Sequence, residues 1–119
     1  VNFLHLDGSK DEIPTVDIIL LRQVLQHLSN NDIKSILENI KKSNSKFLCV
    51  TEHLPINEKF IPNIDKPTGV GIRLGLGSGV NIEKHPFTLD NSSCTLLISI
   101  ETVAEGLKSR LVTKLYNLT

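Results

Sequence analysis

The tightest constraint on this chain is a succession of three segments between residues 16 and 51: apolar, amphipathic, then apolar again. The first, Val16 to Leu21, carries Ile18, Ile19, Leu20 and Leu21 without interruption. A strand with one covered face alternates apolar and polar residues, so an unbroken run calls for cover on both faces, the condition of a parallel strand. The second, residues 29–42, sets Ile33, Ile36, Leu37 and Ile40 at i, i+3, i+4 and i+7, one stripe of a 3.6-residue period. Ser29 suits the N-cap, Asp32 supplies the short form of a capping box, and Leu28 with Ile33 is placed for a hydrophobic staple. Lys41 and Lys42 stand where the helix dipole favours cations, and Ser43-Asn44-Ser45 ends the helix. The third segment, KFLCVT at residues 46–51, follows at once. Strand, helix and strand this close together predict a βαβ crossover and a parallel pair. The expected class is α/β.

Residues 1–7, VNFLHLD, read as a short buried strand stopping at the turn sequence Asp7-Gly8-Ser9. Residues 52–90 hold most of the prolines and glycines, and read as a long irregular segment of the kind that forms a functional lid or stays disordered. Two strands, Cys94 to Ile100 and Leu111 to Leu118, close the chain. The connection ETVAEGLKSR is too short for a packed crossover helix, so this pair is expected to be antiparallel.

With 119 residues the chain has the size of one domain. Basic and acidic residues balance at 13 each, which draws the chain neither to nucleic acid nor to an acidic membrane surface. No apolar run approaches the roughly 18 residues that span a bilayer. Cys49 and Cys94 lie inside apolar runs, where a free thiol acts as a small hydrophobe, so a reducing, cytoplasmic setting is expected. His5, His27, His53 and His85 have no spacing that puts two ligands on one helix face, so no metal site is expected. The sequons Asn91-Ser92-Ser93 and Asn117-Leu118-Thr119 are triplets of a kind that arises often by chance. The chain contains no methionine and opens on Val1 inside an apolar stretch, which reads as truncation at the N-terminus.

Open α/β sheets bind ligands at the carboxyl ends of their strands. Two such ends are visible, Asp7-Gly8-Ser9 and Arg22-Gln23-Val24. A carboxylate at a strand tip can accept from an exocyclic amine or a ribose hydroxyl, while the next amides donate to a ring nitrogen. Asp7 has a plainer and commoner use, opening a turn. The glycine-rich GVGIRLGLGSG at residues 69–79 lacks the helix that a dinucleotide fingerprint needs directly after it, and reads as a flexible loop on the substrate side.

VDIILLRQVLQHLSNNDIKSILENIKKSNSKFLCVTEHLP resembles the fourth strand, following helix and fifth strand of class I (Rossmann-like) S-adenosylmethionine-dependent methyltransferases. In that family the fourth strand leads into a stretch of the form R-D-V-L-x-H-L. VNFLHLDGS is similar to the third strand and its acidic tip, and Pro86 to Leu89 with the closing KLYNL to the tail of one branch. The resemblance implies a partial Rossmann-like methyltransferase sheet, with a parallel βαβ unit and a C-terminal antiparallel pair. Residues 1–119 would then be the C-terminal part of a single methyltransferase domain whose cofactor-binding half lies upstream. Its cofactor would be S-adenosyl-L-methionine. Asp7 would accept from the adenine amino group, Gly8 and Ser9 would contact the same ring, and Arg22 and Gln23 would lie beside the methionine portion. Gln23 departs from the Asp of many relatives, and a neutral amide gives no charge-assisted bond.

His27 is either a general base or a structural side chain bonded to the loop after the strand, and the resemblance favours the structural role. In the family another strand separates residues 1–6 from residues 16–21, so the piece by itself is expected to fold poorly or rearranged. The implied activity is methyl transfer to an O, N or C acceptor, with residues 52–90 forming much of the acceptor pocket. A non-catalytic methyltransferase-like remnant or interaction module is the alternative, and a dehydrogenase-like enzyme a weaker third.

Overall fold

The helix forms where its stripe of isoleucines predicts. In the computed structural model, which describes residues 1–90 and 92–119, α1 spans Asn30–Lys42 and the Ser29 side chain accepts from the Asp32 amide at 3.2 Å. Asn91, and with it the first sequon, lies outside the described residues. The second half of the capping box is not made directly. Thr68 stands between the two residues, its hydroxyl accepting from the Ser29 amide at 2.8 Å and donating to the Asp32 carboxylate. Aspartate is one methylene too short to reach back alone, and the loop hydroxyl fills the gap. Ser29→Ala is expected to cost about 1 kcal/mol in urea unfolding. An unchanged midpoint would show that Thr68 alone secures this end.

Four strands make one sheet in the order β1-β2-β4-β3: β1 Ile18–Arg22, β2 Phe47–Pro55, β3 Cys94–Ala104 and β4 Leu107–Asn117. β1 and β2 are parallel, Ile18 facing Phe47 and Arg22 facing Thr51. β4 is antiparallel to both of its neighbours. The expected parallel pair and antiparallel closing pair are therefore present, and the fold is a compact α/β domain with a mixed sheet. The closing strands run longer than expected. Glu105 and Gly106 turn the chain in two residues, with φ of 50° and 75°, the double positive φ of a tight hairpin.

Two expectations fail. Residues 1–7 form no strand, and Phe3 is 93% exposed. A strand needs a ladder to join, and β1 is bonded on one side only, to β2. Asp7 instead opens a turn, its carbonyl accepting from Lys10 and Asp11 at 3.0 and 2.7 Å. β1 likewise has one covered face rather than two. Ile19 and Leu21 pack against the core, whereas Ile18 and Leu20 are exposed.

The covered face holds Leu48, Val50 and Tyr116 under Ile33, Ile36 and Ile40 of α1, with Leu25, Val80 and Ile82 completing the core. Val80 and Ile82 follow the glycine-rich stretch, which is packed where a flexible loop was expected. It carries a 3₁₀ turn, Arg73–Leu76, that ends on Gly77 at φ 68°, and Ile72, Arg73, Leu74 and Ser78 are buried. Gly79 lets it lie on the end of β2: a Cβ there would stand 2.8 Å from Leu54 Cδ2 and 3.1 Å from the His53 carbonyl. Among the described residues no helix is long and apolar enough to cross a membrane.

Candidate functional site

Because β1 and β2 are parallel, their carboxyl ends share one rim of the sheet, bringing Arg22 beside Thr51, Glu52 and His53. The chain leaves β1 through Gln23, whose amide donates to the Thr51 carbonyl at 2.8 Å and whose φ is 56°. Left-handed backbone at a residue with a Cβ costs on the order of 1–3 kcal/mol, and persists only where its surroundings impose it. Here they do. A 3₁₀ turn, Leu25–His27, follows, with Leu25 fully buried. The loop beyond β2 then grips its far end. Gly69 N and Lys66 Nζ donate to the His27 carbonyl at 2.9 and 3.2 Å, and Arg73 Nη2 donates to the Leu28 carbonyl at 2.6 Å. His27 Nδ1 lies 3.1 Å from the Gly71 carbonyl. The ring thus ties its own turn to the glycine-rich loop, which is a structural use of the side chain.

Beneath this segment sit two buried charged residues, Glu52 at 4% exposure and Arg73 at 1%. Among the described residues neither Glu52 oxygen has a hydrogen-bond partner, and neither do Arg73 Nε and Nη1. Burial pushes the Glu52 carboxyl up to about 8; the facing amides of Leu25 and Gln26, and then Arg73, act in the other direction. Burial lowers the Arg73 pKa, against the pull of Asp65 and Glu52. Glu52 opens on a cavity of about 30 Å³ shared with Asn81 and Lys114. That is room for about two waters.

On the uncovered face Arg22 is exposed and makes no ion pair among the described residues. His53 Nδ1 lies 3.3 Å from Ser109 Oγ, and partial burial with the nearby Arg22 charge holds the imidazole below its usual pKa. Further along the sheet Glu83 accepts from Lys114 Nζ at 2.6 Å and Tyr116 Oη at 2.8 Å. A groove of about 790 Å³ lies elsewhere. It is lined by Leu37, Ser45, Phe87 and Leu118, at the end where β2 begins, and open sheets do not use that end for ligands.

Of the residues singled out from the sequence, Arg22, Gln23 and His27 come together at the rim. Asp7, Gly8 and Ser9 do not join them. The Asp7 carboxylate accepts from the Ser9 hydroxyl at 2.6 Å and the Ser9 amide at 2.9 Å, which holds it below the usual carboxylate range. The Gly8 carbonyl accepts from Asn39 Nδ2 at 2.9 Å, in the last turns of α1. That end of the helix abuts the start of β1, through Thr15 Oγ1 to the Ser43 carbonyl and Val16 N to Ser45 Oγ. The two tips therefore stand near opposite ends of the helix. Glu52 and Arg73 were missed. Their only signal was a charge directly after an apolar strand and an arginine set between Ile72 and Leu74.

No group of three or more His, Cys, Asp or Glu side chains able to hold a metal occurs among the described residues. The chain matches no family model and no curated protein.

Proposed function

We propose that the chain corresponds to the C-terminal part of a class I S-adenosylmethionine-dependent methyltransferase, with the cofactor's methionine portion over the carboxyl ends of β1 and β2. The observation that carries this reading is Gln23, a residue with a Cβ held in left-handed backbone at the tip of a parallel strand. Such strain clusters at ligand sites, and the crevice beyond parallel strand ends is where open α/β sheets bind. A Rossmann-like origin of the sheet is supported by the β1–β2 pair and the antiparallel closing pair. The residues fit the group. The Arg22 fork is free among the described residues and matches a carboxylate with two parallel N–H bonds. Gln23 offers neutral hydrogen bonds beside it.

When bound, S-adenosylmethionine supplies an electrophilic methyl group on a sulfonium, which an O, N or C acceptor takes by in-line displacement. The contribution of this chain is positional. Arg22 orients the methionine end, the clamped Gln23–Leu28 segment forms the floor, and residues 56–90 wall the acceptor side. Asp7, Gly8 and Ser9, turned onto α1, take no part.

Calorimetric titration of the complete enzyme that this reading implies, with S-adenosylmethionine as ligand, is its test. Heat of binding is expected, weakened roughly tenfold by Arg22→Ala through loss of a charge-assisted bond, and unchanged by Asp7→Asn. Absence of heat at millimolar ligand would overturn it. That result would favour an interaction module instead, a reading supported by the exposed Ile18, Leu20, Leu96, Ile98 and Ile100.

A further inference from the structure

Glu52 has no task in the reading above, yet its carboxyl is buried with both oxygens unpaired among the described residues. Native proteins pair nearly every buried polar atom, so two orphaned carboxylate oxygens call for a use. The charged groups packed around it can be named element by element. The 3₁₀ turn above presents the amides of Leu25 and Gln26, with the His27 imidazole at its far end. The Arg73–Leu76 turn presents Arg73, itself under the influence of Asp65. β4 presents Lys114 across the cavity, already paired with Glu83, and His53 is the next residue along β2.

Of these donors, the first amides of a 3₁₀ turn have no partner inside the turn and remain available to a negative charge. Arg73 likewise keeps Nε and Nη1 uncommitted while its Nη2 holds the Leu28 carbonyl. Glu52 therefore faces the Gln23–Leu28 segment at two places, its middle through the Leu25 and Gln26 amides and its far end through Arg73.

We propose that Glu52 is a positioning residue for this segment: its carboxylate, when charged, draws the Leu25 and Gln26 amides and the Arg73 guanidinium onto the end of β2, and when protonated it releases them. Resting on the methyltransferase reading, this motion sets how firmly the rim at Arg22 and Gln23 holds S-adenosylmethionine. Glu52 touches no ligand and acts only through the segment above it.

The test has two arms, each run on the protein and on Glu52→Gln. In the first, without ligand, the amide resonances of Leu25 and Gln26 are followed between about pH 5 and pH 10. They are expected to shift together through one inflection that is missing from Glu52→Gln, while the Ile33 and Leu48 amides behave alike in both proteins. Identical profiles for Leu25 and Gln26 in the two proteins would overturn the proposal. In the second, S-adenosylmethionine is titrated into the complete enzyme, with Glu52 and with Glu52→Gln, at both ends of that range. Its affinity is expected to change by roughly tenfold in the protein, the equivalent of about one pKa unit of coupling, and to stay level in Glu52→Gln. Equal pH dependence in the two proteins would count against Glu52 in the same way. The expected amide behaviour with no heat in either protein would sink the methyltransferase reading and leave the role of Glu52 in place.

Discussion

Arg73→Ala is expected to destabilise the protein by about 3–5 kcal/mol, measured by urea unfolding at neutral pH. Arg73 is the largest fully buried side chain, so truncation opens a cavity that the packed turn around it cannot close. It also strips the Leu28 carbonyl of a 2.6 Å charge-assisted hydrogen bond at the end of the clamped segment. A third loss is electrostatic, since Arg73 is the cation that opposes the effect of burial on Glu52. These losses share neighbours, so they do not add. In a double-mutant cycle the cost of Arg73→Ala is expected to be smaller in the Glu52→Gln background at alkaline pH, where the native carboxylate is charged. A loss below about 1 kcal/mol would show that the guanidinium contributes no more than an exposed side chain would. Truncation is also expected to loosen the His27–Leu28 end of the segment, because among the described residues of the loop beyond β2 Lys66, Gly69 and Gly71 would be left to hold it.

The contrast between α1 and Arg73 explains what could be read from the sequence. Ile33, Ile36 and Ile40 lie on one stripe, and Ser29 stands where a cap belongs, so local pattern and tertiary burial agree. The parallel pair was legible for a similar reason, since a helix between two apolar runs leaves few topologies. The closing pair was legible in direction and not in length. The turn rests on two positive φ values at Glu105 and Gly106, and ETVAEGLKSR shows no break in polarity there. Residues 1–7 misled because apolarity reports what a segment would bury and says nothing about whether a neighbouring strand exists to pair with it. Asp7 went astray with them, a strand tip without a strand. The position of Arg22 and Gln23 at a strand end was legible because it depends only on where β1 stops. Glu52 and Arg73 were out of reach for a deeper reason. Their burial goes with the glycine-rich loop lying on β2, where Gly79 approaches His53 and Leu54, a close approach that no periodicity announces. A buried unpaired charge also breaks the rule from which sequence patterns are read.

Glu52→Gln is expected to stabilise the protein strongly at alkaline pH and hardly at all at acid pH. The carboxyl titrates near 8 in the folded chain, against 4.5 for an unperturbed glutamate. Below about pH 4 both states keep the proton and burial of the carboxyl carries little penalty. As pH rises from there to about 8, the unfolded chain releases the proton while the folded one retains it, so stability falls. Above that range both are ionised and the full penalty is present. Each unit between the two values is about 1.4 kcal/mol, which puts the total on the order of 5 kcal/mol. Glutamine has the shape of the protonated acid and cannot ionise, so the substitution removes this slope and leaves the acid-side stability near its original value. Urea unfolding at about pH 5 and pH 9 should give a gap between the two proteins that widens by several kcal/mol toward the alkaline side. A gap of constant size would mean that the folded chain lets Glu52 ionise as freely as the unfolded one. The burial of Glu52 and its orphaned oxygens argue against that, because among the described residues a bare carboxylate there is opposed only by the amides of Leu25 and Gln26 and the Arg73 guanidinium.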